Sequence, residues 1–128
     1  MPASTQQTFD GGPRSPAAAR RFTAAALPEL LGDRLTPAVC DDVELVVSEL
    51  VTNAVRAGSP TVELTLAVEQ SRLAVRVTDR AEGWPEERIA GIHDAGGRGL
   101  TLVSAMSVAW GVRLIDGGKV VWAEIDLS

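Results

Sequence analysis

Two polar side chains four residues apart, Glu49 and Asn53, are the clearest indication of chemistry in this chain. Apolar residues around them recur at helical spacing, so one helix would place the carboxylate and the carboxamide side by side on its polar flank. An Asn side chain offers a neutral oxygen to a hard cation such as Mg²⁺. A carboxylate one turn earlier can orient or deprotonate an attacking hydroxyl. The alternative is an amphipathic helix whose polar face is simply solvated.

Asp79 ends a segment, Leu73 to Asp79, in which apolar and polar residues alternate as they do in a β-strand. Asp79 has the parity of the apolar residues, so its carboxylate is predicted to point toward the core. A buried, ionised carboxylate is costly unless it accepts hydrogen bonds. This predicts a pocket for a ligand that carries donors, such as an adenine amino group. The alternative is that Asp79 caps the turn beginning at Arg80.

A glycine-rich segment with the sequence GGRGL, Gly96 to Leu100, precedes a third predicted helix. Glycines before a helix leave backbone N–H groups exposed at the positive end of the helix dipole, which is an arrangement that binds phosphate. Arg98 adds a cation that can contact a terminal phosphate. A flexible loop end is the alternative explanation for these glycines.

In this order, the segments resemble the GHKL superfamily of histidine kinase-like ATPases, and most closely its compact anti-sigma-factor serine/threonine kinases. The likeness extends from about Thr8 to Leu127. Its motifs are Glu49 and Asn53 in SELVTNAV, Asp79 and Gly83 in VTDRAEGW, Gly97 and Gly99 in GGRGLTLV, and WGV followed by GKVVWAEI. The resemblance implies an α+β fold, a two-layer sandwich in which a mixed β-sheet carries helices on one face.

The resemblance also implies ATP and Mg²⁺ as cofactors and assigns roles to the motif residues. Asn53 would bind Mg²⁺, Asp79 would accept a hydrogen bond from the adenine amino group, and Glu49 would be the catalytic base or polarising group. The remaining residues of the implied nucleotide site are Gly83, Gly97, Arg98, Gly99 and Leu100, of which Arg98 would also help catalysis by neutralising phosphate charge.

Two of the departures from the family pattern concern the nucleotide site. The family commonly has glycine where this chain has Ala81, and alanine is poorly tolerated at positive φ, so the loop after Asp79 is predicted to take another path. The family often has threonine, which supports adenine, where this chain has Val120. That hydroxyl contact is therefore expected to be missing.

The elements that would position these residues form one predicted domain, residues 6–128, after a disordered tail, residues 1–5. Ser15 and Pro16 would begin a first helix that Pro28 kinks or ends, and Thr36 and Pro37 would begin the second, which runs to about Arg56. The other predicted elements are an edge strand at 7–10, a hairpin at 61–68 and 73–79, a nucleotide lid at 80–96, a third helix whose apolar stripe reaches Trp110, and a final hairpin at 112–115 and 120–126.

The composition of the chain indicates which classes of partner it can bind. The net charge is −5 and Lys119 is the only lysine, so no basic patch predicts direct nucleic-acid binding, and basic protein surfaces are better partners. The polar N-terminus and the lack of a long apolar run predict a cytoplasmic protein without membrane association. The single cysteine, Cys40, is predicted to be a packed thiol.

The leading functional hypothesis is therefore an ATP-dependent serine/threonine protein kinase that is also an anti-sigma factor. It would phosphorylate an antagonist protein and regulate a sigma factor, and its alanine-rich first helix is compatible with a homodimer. The alternative is a non-catalytic, nucleotide-sensing binding module, which Ala81 and Val120 favour.

Overall fold

The computed structural model describes residues 3–81 and 98–128. In chain order its elements are β1 (Ser4–Asp10), α1 (Ser15–Leu31), a 3-10 turn (Gly32–Arg34), α2 (Pro37–Arg56), β2 (Thr61–Glu69), β3 (Arg72–Asp79), α3 (Arg98–Met106), β4 (Ala109–Ile115) and β5 (Gly118–Asp126). The strands form one sheet in the order β1-β2-β3-β5-β4. The helices pack on one face of this sheet, which confirms the predicted α+β, two-layer fold. Each pair of neighbouring described strands is antiparallel, whereas the sequence predicted a mixed sheet.

The hydrophobic core lies between the sheet and the helices. Alternate residues of β2 and β3 face it, and Leu64, Leu66 and Val75 are fully buried. The predicted core stripe of α2 is also confirmed, with each residue at most 2% exposed: Val43, Val46, Val47, Leu50 and Ala54. Burying a Val or Leu side chain contributes about 1.5 to 3 kcal/mol, so this stripe fixes how α2 is rotated against the sheet.

The first helix differs from the prediction at its start, and Pro28 does not end it. Ser15 does not cap it, because its hydroxyl donates a hydrogen bond to the backbone oxygen of Asp10. The helix also continues through Pro28 to Leu31. Leu27 and Leu31 are both buried, so packing holds the last turn although proline removes a backbone donor.

The second helix begins and ends as predicted. Thr36 Oγ1 accepts a hydrogen bond from the Val39 N–H at 3.1 Å, and Pro37 occupies the first helical position. At the other end, Gly58 has a φ of +84°, a conformation that side chains disfavour. These signals bound α2 and thereby place Glu49 and Asn53 in its last two turns.

The first strand is longer than predicted. It begins at Ser4, and the strand pairs Ser4 with Ala67 and Thr5 with Leu66 of β2. Residues 4 and 5, assigned to a disordered tail, are therefore part of the sheet edge. Their polar composition gave no signal of this, because the partner strand supplies the backbone hydrogen bonds.

The third helix is shorter than its apolar pattern suggests. It ends at Met106, and the Val108 N–H then donates to Glu124 O at 2.9 Å, so pairing with β5 begins at once. Trp110 lies in β4, where it packs against the core from the strand rather than from the helix. Trp122 lies on the face of the sheet away from the helices, in a groove that Arg76 and Arg113 also line.

Candidate functional site

Glu49 and Asn53 lie one turn apart on α2, at the boundary between core and solvent. Asn53 is 8% exposed and Glu49 is half-buried, while Leu50 and Ala54 beside them are buried. Within residues 3–81 and 98–128, the Glu49 carboxylate makes no ion pair or hydrogen bond. The Glu49 carboxylate, which has no partner among the described residues, therefore lies one turn before the nearly buried amide of Asn53.

Ser59 connects the end of α2 to the end of β3. Its N–H donates to Ala54 O at 3.3 Å, and its Oγ accepts the Arg80 N–H at 2.8 Å. Asn53 precedes Ala54 and Asp79 precedes Arg80, so the two predicted ligand-binding residues are brought to the same end of the molecule. Sequence analysis assigned no role to Ser59, because its position between Gly58 and Pro60 indicates only a loop.

Asp79 points into the core side of the sheet, as its strand parity predicted. It is 1% exposed, and its Oδ2 lies 2.5 Å from Nζ of Lys119, which is 2% exposed. Its Oδ1 accepts the Ala81 N–H at 3.2 Å, so the alternative in which Asp79 caps the following turn also holds for that oxygen. The carboxylate is therefore fixed by a strand partner and by its own loop.

Lys119 was not predicted to belong to the site. It stands directly opposite Asp79 in the β3–β5 register, and a Cβ added to Gly118 would lie 1.9 Å from the Asp79 backbone oxygen. Glycine therefore lets the start of β5 approach the end of β3. A signal was present, because Lys119 has the parity of the buried Val121 and Ala123, and a lysine on an apolar face requires a carboxylate partner.

The structure describes the surroundings of both Ala81 and Val120. Among the described non-glycine residues only Gln70 has a positive φ, so Ala81 adopts an ordinary conformation that alanine tolerates. Val120 lines the groove on the opposite face of the sheet from Asp79. The Val120 side chain therefore points away from Asp79, and the missing hydroxyl contact to adenine stays a prediction.

Part of the predicted phosphate site cannot be placed. Gly83, Gly97 and the predicted lid from residue 82 onward lie outside the described residues, and for Arg98, Gly99 and Leu100 only the backbone is described. The backbone of those last three residues forms the start of α3, which confirms a helix after the glycine-rich segment. Val103 anchors this helix in the core with no exposed surface. The phosphate contacts remain a prediction.

The donor set fits a magnesium ion that arrives with a nucleotide. No group of three or more His, Cys, Asp or Glu side chains within the described ranges could hold a metal ion. Mg²⁺ commonly uses one or two protein oxygens and completes its shell with water and phosphate. The amide oxygen of Asn53 suits that role, and the buried Asp79 carboxylate suits a ligand amino group.

Comparison with known proteins agrees with this geometry. The model of the histidine kinase-like ATPase domain matches residues 11–125, and the chain therefore belongs to this family. It is also similar in structure to the Acinetobacter baumannii histidine kinase AdeS, with 14% identity and a TM-score of 0.52 over 97% of this chain and 68% of that chain. At this identity the likeness shows the fold alone. No curated protein sequence matches significantly.

The family match supports an ATP-binding regulatory role. An ATP-binding role agrees with the position of Asp79 and Asn53 at the same end of the two-layer fold. Among the helices that the structure describes, none is both long and apolar enough to cross a bilayer.

Proposed function

We propose that this chain is an ATP-dependent serine/threonine protein kinase that also acts as a cytoplasmic anti-sigma factor. It transfers the γ-phosphoryl group of ATP to a serine of an antagonist protein and thereby regulates a sigma factor. The observation that carries the catalytic part is Glu49, a half-buried carboxylate without a partner in the described chain, one turn before Asn53. The resemblance of the SELVTNAV motif to anti-sigma-factor kinases supports the choice of substrate.

Each residue has a distinct task in this proposal. Asp79 accepts a hydrogen bond from the adenine amino group, and the Asn53 oxygen contributes one ligand to Mg²⁺, which offsets phosphate charge when bound. Glu49 orients the serine hydroxyl and takes its proton as the serine oxygen bonds to the γ-phosphorus and ADP leaves. Arg98 and the backbone around Gly99 contact the phosphates.

The fold supports this chemistry by restricting movement of α2. Leu50 is 1% exposed and Ala54 is 2% exposed, so the turn that carries Glu49 and Asn53 is packed against the sheet. Phosphoryl transfer depends mainly on positioning and charge stabilisation, so a carboxylate on a rigid helix is better placed than one on a loop.

The proposed partners follow from charge. With a net charge of −5 and one lysine, the chain suits partners that present basic surfaces and does not suit nucleic acid. A sigma factor and an antagonist protein are the proposed partners, and a homodimer through α1 is compatible with its alanine-rich sequence.

One observation favours the second candidate, a nucleotide-sensing module without kinase activity. Asp79 already has two partners, Lys119 and the Ala81 N–H. A base-binding carboxylate held this firmly is compatible with sensing a nucleotide and does not by itself require transfer.

The deciding experiment follows label from γ-labelled Mg-ATP to candidate antagonist proteins. We expect transfer by the wild type, and a loss of about 10² to 10⁴-fold in Glu49→Gln, the range for a positioned acid or base. The matched control is Glu44→Gln, because Glu44 lies on the same helix, about 140° away at 3.6 residues per turn, and accepts a hydrogen bond from Cys40.

The outcomes separate the two candidates. Wild-type protein that binds ATP but labels no cognate antagonist would support the nucleotide-sensing module. If Glu49→Gln still transfers phosphate at the wild-type rate, Glu49 is not the catalytic base, although the protein is a kinase.

A further inference from the structure

The only lysine of the chain, Lys119, is a buried cation on the helix-facing side of the sheet. It shares this face of β5 with Val121 and Ala123, both buried. Removing an ammonium from water is expensive unless it is paired, and a well-packed apolar pair in the same place is often equally stable. The stability of the fold therefore does not explain why a charged pair stands here.

The Asp79–Lys119 pair also differs in location from the other ion pairs of the described chain. Those three have side chains that are 27% to 50% exposed: Arg72–Glu124, Arg76–Glu69 and Arg80–Glu63. The side chains of Lys119 and Asp79 are 3% and 2% exposed. The buried pair lies at the end of β3 that Ser59 connects to α2, and so beside the proposed nucleotide site.

Hydrogen-bond capacity remains on both partners. An ammonium has three donors and a carboxylate has about four acceptor positions. Within the described residues, Lys119 Nζ contacts only Asp79, and the Asp79 oxygens accept only from Lys119 and from the Ala81 N–H. With respect to the described residues, the pair therefore has an acceptor position without a donor next to donors without an acceptor.

We propose that Lys119 reads the adenine base together with Asp79. The adenine edge carries a donor, the 6-amino group, next to an acceptor, N1, so the carboxylate accepts from the amino group while the ammonium donates to N1. This makes Lys119 a specificity-determining residue for the nucleotide, and the inference rests on the proposed binding of ATP. A site that hydrogen-bonds a ligand atom rejects an analogue lacking that atom, because its own buried group is left unpaired.

The test uses the single lysine. Untagged protein labelled with 15N-lysine has one lysine ammonium signal, which needs no assignment. The ligands are ADP and 1-deaza-ADP, in which a C–H replaces N1 while the amino group and phosphates remain. We expect ADP to shift the signal and to bind about 10-fold or more tightly than 1-deaza-ADP, and we expect the analogue to leave the signal near its free position.

The variant Lys119→Met should bind both ligands equally, whereas the control Arg76→Met, which removes an outer-face cation of β3, should keep the preference. The wild-type measurements decide the question even if Lys119→Met does not fold. Equal affinities of wild-type protein for both ligands, or an unmoved lysine signal at saturating ADP, would overturn the role of Lys119.

Tighter binding of ADP by Lys119→Met would also overturn it, because Lys119 would then compete with the base for Asp79. No binding of ADP to the wild type would contradict the proposed function itself, and the base-reading role with it.

Discussion

Loss of the Lys119 ammonium should destabilise the protein far more than loss of an outer-face cation. In Lys119→Met the Asp79 carboxylate stays buried at 1% exposure with its strongest partner removed. Removing one partner of a buried ion pair costs about 3 to 5 kcal/mol. That is a large part of the total of about 5 to 15 kcal/mol that stabilises a typical domain.

The matched comparison is Arg76→Met. Arg76 pairs with Glu69 at 3.0 Å, but their side chains are 37% and 50% exposed. Such exposed pairs contribute about 0 to 1 kcal/mol. Both variants replace a cationic side chain by methionine, on opposite faces of the sheet, so the difference in their free energies of unfolding reports mainly the effect of burial.

The assay is urea unfolding without nucleotide, followed by tryptophan fluorescence and circular dichroism. The double variant Asp79→Asn, Lys119→Met should lose less stability than the two single variants together, because it leaves no unpaired buried charge. The reasoning fails if Lys119→Met is as stable as Arg76→Met. It also fails if the two single losses simply add in the double variant.

Three further outcomes are expected. Asn53→Ala should abolish the Mg²⁺ dependence of the thermal shift produced by ATP, because it removes the proposed protein ligand. If the variant responds to Mg²⁺ as the wild type does, Asn53 is not a magnesium ligand. Gly99→Val should weaken ATP binding more than adenosine binding, because a side chain would obstruct backbone N–H groups that meet phosphate; equal losses would indicate packing instead. A hydrogen bond to Glu44 and partial burial raise the pKa of the Cys40 thiol from 9.0 to about 11. Alkylation of Cys40 below pH 9 should therefore be about 100-fold slower than alkylation of a free thiol, and it should be faster in Glu44→Gln than in the wild type. Equal alkylation rates in the wild type and in Glu44→Gln would contradict this cause of the raised pKa.

Local periodicity was enough to predict the elements that carry the site. The apolar spacing around Glu49 and Asn53 gave the helix and its buried face, and the alternation before Asp79 gave a strand whose last side chain points inward. These patterns depend on residues within a few positions of one another. The sequence therefore predicted α2, the β2–β3 hairpin and the orientation of Asp79.

Features that depend on distant partners were missed. Lys119 meets Asp79 only because β5 lies beside β3, and no local pattern gives that strand order. Ser59 likewise gains its role from Arg80, at the other end of the β2–β3 hairpin. Trp110 continued a helical apolar stripe, but pairing with Ala123 of β5 placed it in a strand. In each case tertiary pairing decided what the local sequence left open.

The measurement that tests the central claim most directly is the affinity of wild-type protein and Asp79→Asn for ATP, by titration calorimetry with Mg²⁺. A hydrogen bond to a charged group is worth about 1.5 to 3 kcal/mol, which corresponds to about 10- to 150-fold weaker binding in the variant. The control Glu124→Gln, an outer-face carboxylate that pairs with Arg72, should bind as the wild type does. Undiminished ATP affinity in a folded Asp79→Asn variant would contradict the placement of the nucleotide site at the end of β3.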